Sequence, residues 1–234
     1  MQILNNLKIV DLTHPLNSNV PTWNGSCGFS LESKSEPDHM FRVHQVKMHA
    51  GIGTHMDAPC HRIKGGASIS EIPLEHLIVP ICLIDVSEKA GADYEVSLQD
   101  IEEYEKKHGL ILKNSLVIAY TGWNRFWQNP SAYRNVDPSG HMQFPALSAH
   151  AAEFLLKRNI AGIGIDTLSP DCADPTFPVH RTLLAAGKYI IENIADCSEI
   201  TPKGSYAIAF PMRIEEGTES PVRIAGLVPI HSNL

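Results

Sequence analysis

The sequence predicts an α/β fold, a single domain of mixed β-sheet with flanking helices, on three observations. Apolar runs of strand length, Val79–Val86, Ser115–Tyr120 and Ile160–Ile165, are nearly continuous, as in strands buried on both faces. Between them, Ser97–Gly109 and Ala149–Arg158 carry helical periodicity, so strand, helix and strand alternate. No linker or repeat divides the 234 residues, a length that suits one hydrophobic core.

Taken in order, Lys8-Ile-Val-Asp-Leu12 reads as a short strand. It runs into Thr13-His14-Pro15 and then Pro21-Thr-Trp23-Asn-Gly25, a loop with one large aromatic. His14, ahead of a proline, reads as a turn residue. Phe41–Met48 alternates imperfectly, as a half-buried strand would, and leads into a Gly-rich bend. Gly65-Gly66 and Ser68 form a loop, and Val79–Val86 is a strand with Pro80 at its entry. Ser97 is an N-cap, acids follow early, bases late, and Gly109 closes that helix. Past the strand Ser115–Tyr120, Trp123, Phe126 and Trp127 fall within five residues. With Trp23 they could wall a pocket for a flat substrate, or serve as core or dimer packing. Trp23, Trp123 and Phe126 are the substrate-binding candidates. Asp166-Thr167 ends the strand Ile160–Ile165 at its carboxyl side, where α/β sheets place functional groups. Pro178-Val-His180 then precedes a short helical stretch, Leu183–Gly187. Tyr189–Ile194, Ser205–Phe210 and Pro221–Val228 are the last strands.

The formal net charge of −7, with Lys106-Lys107 as the longest basic run, excludes nucleic acid as a partner and points to a small-molecule substrate. No run approaches the roughly 18 apolar residues of a membrane span, and Met1–Lys8 lacks a secretory pattern, so a cytoplasmic protein with no membrane partner is expected. Cys27, Cys60, Cys82, Cys172 and Cys197 are odd in number and without Cys-x-x-Cys spacing, which argues for reduced thiols. Cys60 reads as a small buried filler rather than a nucleophile.

The chemistry concentrates in His49-Ala-Gly-Ile-Gly-Thr-His55-Met-Asp57-Ala-Pro-Cys-His61, three histidines and a carboxylate within thirteen residues. Neutral imidazole and carboxylate are ligands for Zn, Mn, Fe or Ni, and residues of equal parity on a strand share a face, so His55 and Asp57 project together. Pro59 ends regular pairing and leaves His61 on a turn. Glu192 is the anomaly: Ile190 and Ile194 share its parity, so one apolar strand face would carry a carboxylate. Burying that charge without a partner costs several kcal/mol, which a metal or a buried cation would offset, unless Glu192 is a strand-end residue in solvent.

Gly-Thr-His-x-Asp-Ala-Pro-x-His at positions 53 to 61 resembles the signature of the cyclase family of metal-dependent hydrolases, which includes bacterial kynurenine formamidase and isatin hydrolase. Asp-Leu-Thr-His-Pro with Pro-x-Trp, Asp-Thr-Leu-Ser from 166, and Pro-Val-His followed twelve residues later by Glu-Asn resemble the same family. The resemblance implies a swivelling β/β/α fold and a homodimer. It also implies metal ligands at His55, Asp57, His180 and Glu192, with His61 as catalytic acid/base. The expected cofactor is a divalent metal, Zn or Mn, one or two ions per subunit. The expected activity is arylformamidase-like hydrolysis of a small amide: a formamide, lactam or cyclic imide. A lactone hydrolase on the same parts, or a non-catalytic metal- or ligand-binding homologue, are the alternatives. Retention of His61 favours an enzyme.

Two departures stand out. Members usually place a ligand histidine four residues before the His of His-x-Asp, where this chain has Gly51, and an aromatic after the catalytic His, where it has Arg62. The first leaves one ion or two, with water at the missing ligand's place; the second leaves the substrate open. His49 is a further ligand candidate, provided the segment Gly51-Ile52-Gly53 bulges sharply.

Overall fold

The computed structural model describes residues 6–26, 28–35, 40–172 and 174–230; Cys27 and Met1–Asn5 lie outside the described residues. In chain order the strands are β1 (Leu7–Asp11), β2 (Ser30–Ser33), β3 (His44–Lys47), β4 (His55–Asp57), β5 (Ile78–Asp85) and β6 (Glu95–Val96). They continue as β7 (Leu116–Tyr120), β8 (Ala146–Leu147), β9 (Gly162–Ile165), β10 (Tyr189–Glu192), β11 (Lys203–Pro211) and β12 (Glu219–Pro229). The helices are α1 (Leu98–His108), α2 (Pro130–Arg134), α3 (Ala149–Lys157) and α4 (Pro178–Ala185). Among the described residues no helix is long and apolar enough to cross a membrane.

The main sheet runs β1-β12-β11-β5-β7-β9-β10-β4. It is mixed as expected: β5, β7, β9 and β10 are parallel neighbours, and the other pairings are antiparallel. The short β4 closes it. Its residues pair with β10 on one side, His55 opposite Glu192, and with β12 on the other, Asp57 opposite Glu219. A ring of β12, β11, β5, β7, β9, β10 and β4 results, with β1 pairing along the rest of β12.

Period-two alternation sorts the strands between two cores. Val79, Ile81 and Leu83 of β5, Leu116 and Ile118 of β7, Tyr189 and Ile191 of β10 and Met56 of β4 belong to one apolar cluster with Ile194 and Ile200. The intervening Cys82, Ile84, Val117, Ala119, Ile163, Ile165 and Ile190 belong to the other, with Ile101 of α1, Ala152 and Leu155 of α3, and Leu183 and Leu184 of α4. Gly164 fits this scheme through its missing side chain: a Cβ there would fall 2.3 Å from Ile194 Cδ1.

The predicted helices stand where their caps placed them. The Ser97 hydroxyl accepts from the Asp100 N–H and the Asp100 carboxylate answers at the Ser97 N–H, while Ser148 caps α3 through the Ala151 N–H. Three expectations are corrected. The stretch Phe41–Met48 is not half-buried; β3 pairs with β2 alone and is exposed throughout, so its alternation marks no core face. His180 lies within a helix rather than ahead of one, because Pro178 sits at the first helical position with φ already set for it. Ile194 does not share a face with Glu192: Asn193 turns into the left-handed region, φ 55°, which breaks the alternation and sends Ile194 to the opposite cluster.

His14 is more than a turn residue. Its ring stacks on Trp127 at 4.0 Å between centroids, and its backbone N–H donates to the Thr54 hydroxyl just before β4. Burial pushes its imidazole down from 6.5 to about 4, against an upward pull from Asp11. The unfolded chain therefore takes up a proton near pH 6.5 that the folded one refuses until about 4, so His14 costs stability as pH falls through that window, at most about 3 kcal/mol. His14→Phe, which keeps a flat ring and has no proton to bind, should lose less melting temperature than wild type between pH 6.5 and 4. Parallel curves for the two proteins would dismiss this role.

Candidate metal centre and its pocket

His55 and Asp57 leave β4 on the face opposite Met56, as their parity requires. β4 is tied to the end of β10 by the Thr54 hydroxyl donating to the Asn193 carbonyl, 2.6 Å, and by Asn193 Nδ2 donating to the Gly53 carbonyl, 2.9 Å. His55 Nδ1 lies 2.9 Å from the Gly53 carbonyl, which can only accept, so Nδ1 carries the proton and Nε2 is presented to the site.

His180 is oriented in the same manner from α4. Its Nδ1 is 2.7 Å from Asp171 Oδ2, and the Asp171 carboxylate also accepts the N–H groups of Val179 and His180, holding the start of the helix. The two Nε2 atoms then face one pair of carboxylates. His55 Nε2 lies 3.5 Å from Asp57 Oδ1 and 3.3 Å from Glu192 Oε2; His180 Nε2 lies 3.5 Å from Asp57 Oδ2 and 3.3 Å from Glu192 Oε1. The structure thus brings His55, Asp57, His180 and Glu192 together, all of them buried.

These distances are too long for good charge-assisted hydrogen bonds and leave room between the groups. Asp57 Oδ1 is buried without a hydrogen-bond partner among the described residues, an arrangement that costs about 1–3 kcal/mol or more for a charged group. The site is also short of positive charge. Burial would discharge both imidazoles, yet Glu192 and Asp57 lift His55 to about 10, and Asp171, Asp57 and Glu192 lift His180 to about 12. Two nitrogens and two carboxylates around an unsatisfied oxygen fit a divalent cation, with the two imidazole protons as its competitors.

The centre opens into a cavity of about 400 Å³ lined by Trp23, His49, His61, Leu168, Phe177 and Asn193, among others. His61 sits on the single turn Pro59–His61, its ring 6.2 Å from that of His180 and its Nδ1 3.5 Å from Glu219 Oε2. His49 is exposed and lines the cavity. Among the described residues two groups have ligand atoms all within 4.8 Å of one another, His55, Asp57 and Glu219, and Asp57, His61 and His180. Glu192 belongs to neither but lies 3.3 Å from each of the two imidazoles His55 and His180, whereas His49 belongs to neither and is not among these ion-pair contacts. Arg62 is exposed and does not line the cavity.

Of the aromatic candidates Trp23 reaches the cavity, where Phe177 stands 5.9 Å away, centroid to centroid. Trp123 and Phe126 do not, which corrects their assignment as substrate-binding. Gly122, at φ 71°, turns the chain at the end of β7, and Trp123 drops into a separate cluster where its Nε1–H donates to the Tyr133 carbonyl; Phe126 packs edge-on against it. Asp166 is likewise structural: fully buried, it accepts from the Thr121 N–H and hydroxyl and from the Asn124 N–H. Cys60 is only partly buried, packed against the first apolar cluster, and desolvation pushes its thiol up.

Sequence reasoning missed Asp171, Phe177 and Glu219. Asp171 carried a signal, an acid a few residues ahead of a Pro-initiated helix. Phe177 and Glu219 carried none, because the first points into the cavity through a left-handed backbone, φ 48°, and the second arrives by strand pairing.

The cyclase family model, described as Putative cyclase, matches residues 10–172. The isatin hydrolase of Roseibium aggregatum is 32% identical over 188 residues, 76% of this chain and 71% of that one. The kynurenine formamidase of Bacillus cytotoxicus is 27% identical over 218 residues, 92% and 94% of the two chains. Among solved structures, isatin hydrolase A from Labrenzia aggregata bound to benzyl benzoate superposes with a TM-score of 0.89 at 32% identity, covering 96% of this chain and 95% of that one. An isatin hydrolase bound to the product analogue thioisatinate also gives 0.89, at 28% identity over 97% and 94%.

Proposed function

With the chain a member of the cyclase family, we propose that it hydrolyses a carbon–nitrogen bond in a small aromatic amide, a formamide, lactam or cyclic imide, at a divalent metal centre. The observation that carries this reading is the convergence of His55, Asp57, His180 and Glu192 around Asp57 Oδ1, which has no hydrogen-bond partner among the described residues. Zn or Mn suits this set of two imidazoles and two carboxylates. When bound, such an ion supplies Lewis acidity for a substrate carbonyl and lowers the pKa of water.

The chain's own groups do the rest. Asp171 holds His180, and the Gly53 carbonyl holds His55, each in the tautomer that presents Nε2. His61, at the cavity wall on a turn of its own, takes a proton from the attacking water and returns it to the departing nitrogen, because an amine leaves badly unprotonated. Trp23 and Phe177 offer aromatic faces in a cavity sized for one or two rings. The aromatic molecules bound in the two isatin hydrolase structures support that choice of substrate class.

Assay of protein loaded with Zn²⁺ or Mn²⁺ against N-formylkynurenine, isatin, cyclic imides and lactones tests the reading. Turnover of an amide or imide is expected. Lactone hydrolysis alone, or metal binding without turnover of any of them, would overturn it.

The orientation of His180 makes a separate demand. Asp171→Asn keeps the shape but removes the charge behind the imidazole, and should weaken metal affinity ~10- to 100-fold in a chelator competition. Wild-type affinity in a folded Asp171→Asn protein would mean that Asp171 merely caps α4.

A further inference from the structure

Glu219 opens β12 directly opposite Asp57. Its carboxylate covers the bare Cα of Gly51: a Cβ at that glycine would lie 2.5 Å from Glu219 Oε2 and 2.9 Å from Cδ. Gly51 is not among the glycines with positive φ, so its contribution is space rather than unusual backbone, and the carboxylate fills that space. The space beside Gly51 is therefore occupied by a carboxylate oxygen of this same chain.

Two groups of ligand-capable atoms meet at Asp57. One is His55, Asp57 and Glu219; the other is Asp57, His61 and His180; within each, the atoms lie within 4.8 Å of one another. Asp57 turns a different oxygen to each side, Oδ1 to His55 and Oδ2 to His180, and Oδ1 is buried with no hydrogen-bond partner among the described residues. Among the described residues Glu219 has one ion-pair contact, His61 Nδ1 at 3.5 Å, beyond good hydrogen-bond range. A third carboxylate facing Asp57 and Glu192 is repelled unless positive charge lies between them.

We propose that Glu219 is a metal ligand, offering with His55 and Asp57 a donor set for an ion beside the one that His180 and Glu192 would hold. The inference rests on the metal centre of the preceding subsection. It assigns to β12 the donor that position 51 lacks. The two residues form an exchange: a side chain at 51 and a carboxylate at 219 would compete for one volume.

Titration of the full-length protein with Mn²⁺, with bound ion counted per subunit by electron paramagnetic resonance and elemental analysis, tests it. Wild type should take up two ions. Glu219→Gln, which keeps the size and loses the charge, and Glu219→Ala should each retain one and bind the other more than about tenfold more weakly. Adding Gly51→His to Glu219→Ala puts an imidazole into the vacated volume and should restore the second ion. Unchanged stoichiometry and affinity in folded Glu219→Gln would overturn the inference and leave the metal centre standing, as would a single ion in wild type. A wild type that binds neither Mn²⁺ nor Zn²⁺ would overturn the metal centre itself. Full metal content in Glu219→Gln with a displaced pH profile of turnover would make Glu219 a positioning residue for His61, and would likewise overturn the ligand assignment.

Discussion

Asp57→Asn is expected to abolish metal binding and turnover together. Asp57 is fully buried and turns one oxygen towards each imidazole, 3.5 Å from His55 Nε2 and 3.5 Å from His180 Nε2. An amide supplies one neutral oxygen and an NH₂ that repels cations, so both sides of the centre lose their shared ligand. The loss should exceed the ~10- to 100-fold expected for disturbing an outer partner such as Asp171. Metal content by elemental analysis, with circular dichroism to verify the fold, is the measurement. Near-normal metal in a folded Asp57→Asn protein would remove Asp57 from the ligand set and the proposed centre with it.

His61→Ala should lower kcat by ~10²- to 10⁴-fold with metal content unchanged, the usual contribution of a positioned proton-transfer group. The variant is expected to fold. The side chain is 35% exposed, and the turn carrying it is held by backbone bonds, such as the His61 N–H to the Ala58 carbonyl at 2.9 Å. The loss should be larger for an amide than for an ester of similar shape, since the amine needs its proton before it leaves. Equal rates with equal metal would end the acid/base role. Loss of metal together with activity would instead place His61 beside Asp57 and His180 as a ligand, a role its position within 4.8 Å of their donor atoms would allow.

Much of the architecture was legible because local rules acted alone. Ser97 and Ser148 cap helices with their own hydroxyls, Gly109 ends one at a positive φ of 79°, and the apolar runs around Ile81, Ile118 and Ile163 became buried strands. Legibility failed where a residue's neighbours come from afar. The aromatics past β7 read as a pocket wall, but Gly122 turns Trp123 into the packing around Tyr133. Glu192 was singled out by a parity argument that holds for Ile190 and fails for Ile194, because Asn193 interrupts the strand.

The sequence by itself determined the order of the longer strands and helices, the α/β class, and the residue types gathered on the short segments around His55 and His180, since these follow from periodicity, caps and motif spacing within one stretch of chain. The tertiary structure alone decided that β4 closes the sheet between β10 and β12. That closure sets Glu192 opposite His55 and Glu219 opposite Asp57, and lays a carboxylate over Gly51. Strand pairing is a long-range contact whose partners no local pattern names, so the residue that occupies the gap at position 51 could be read only once the ring was closed.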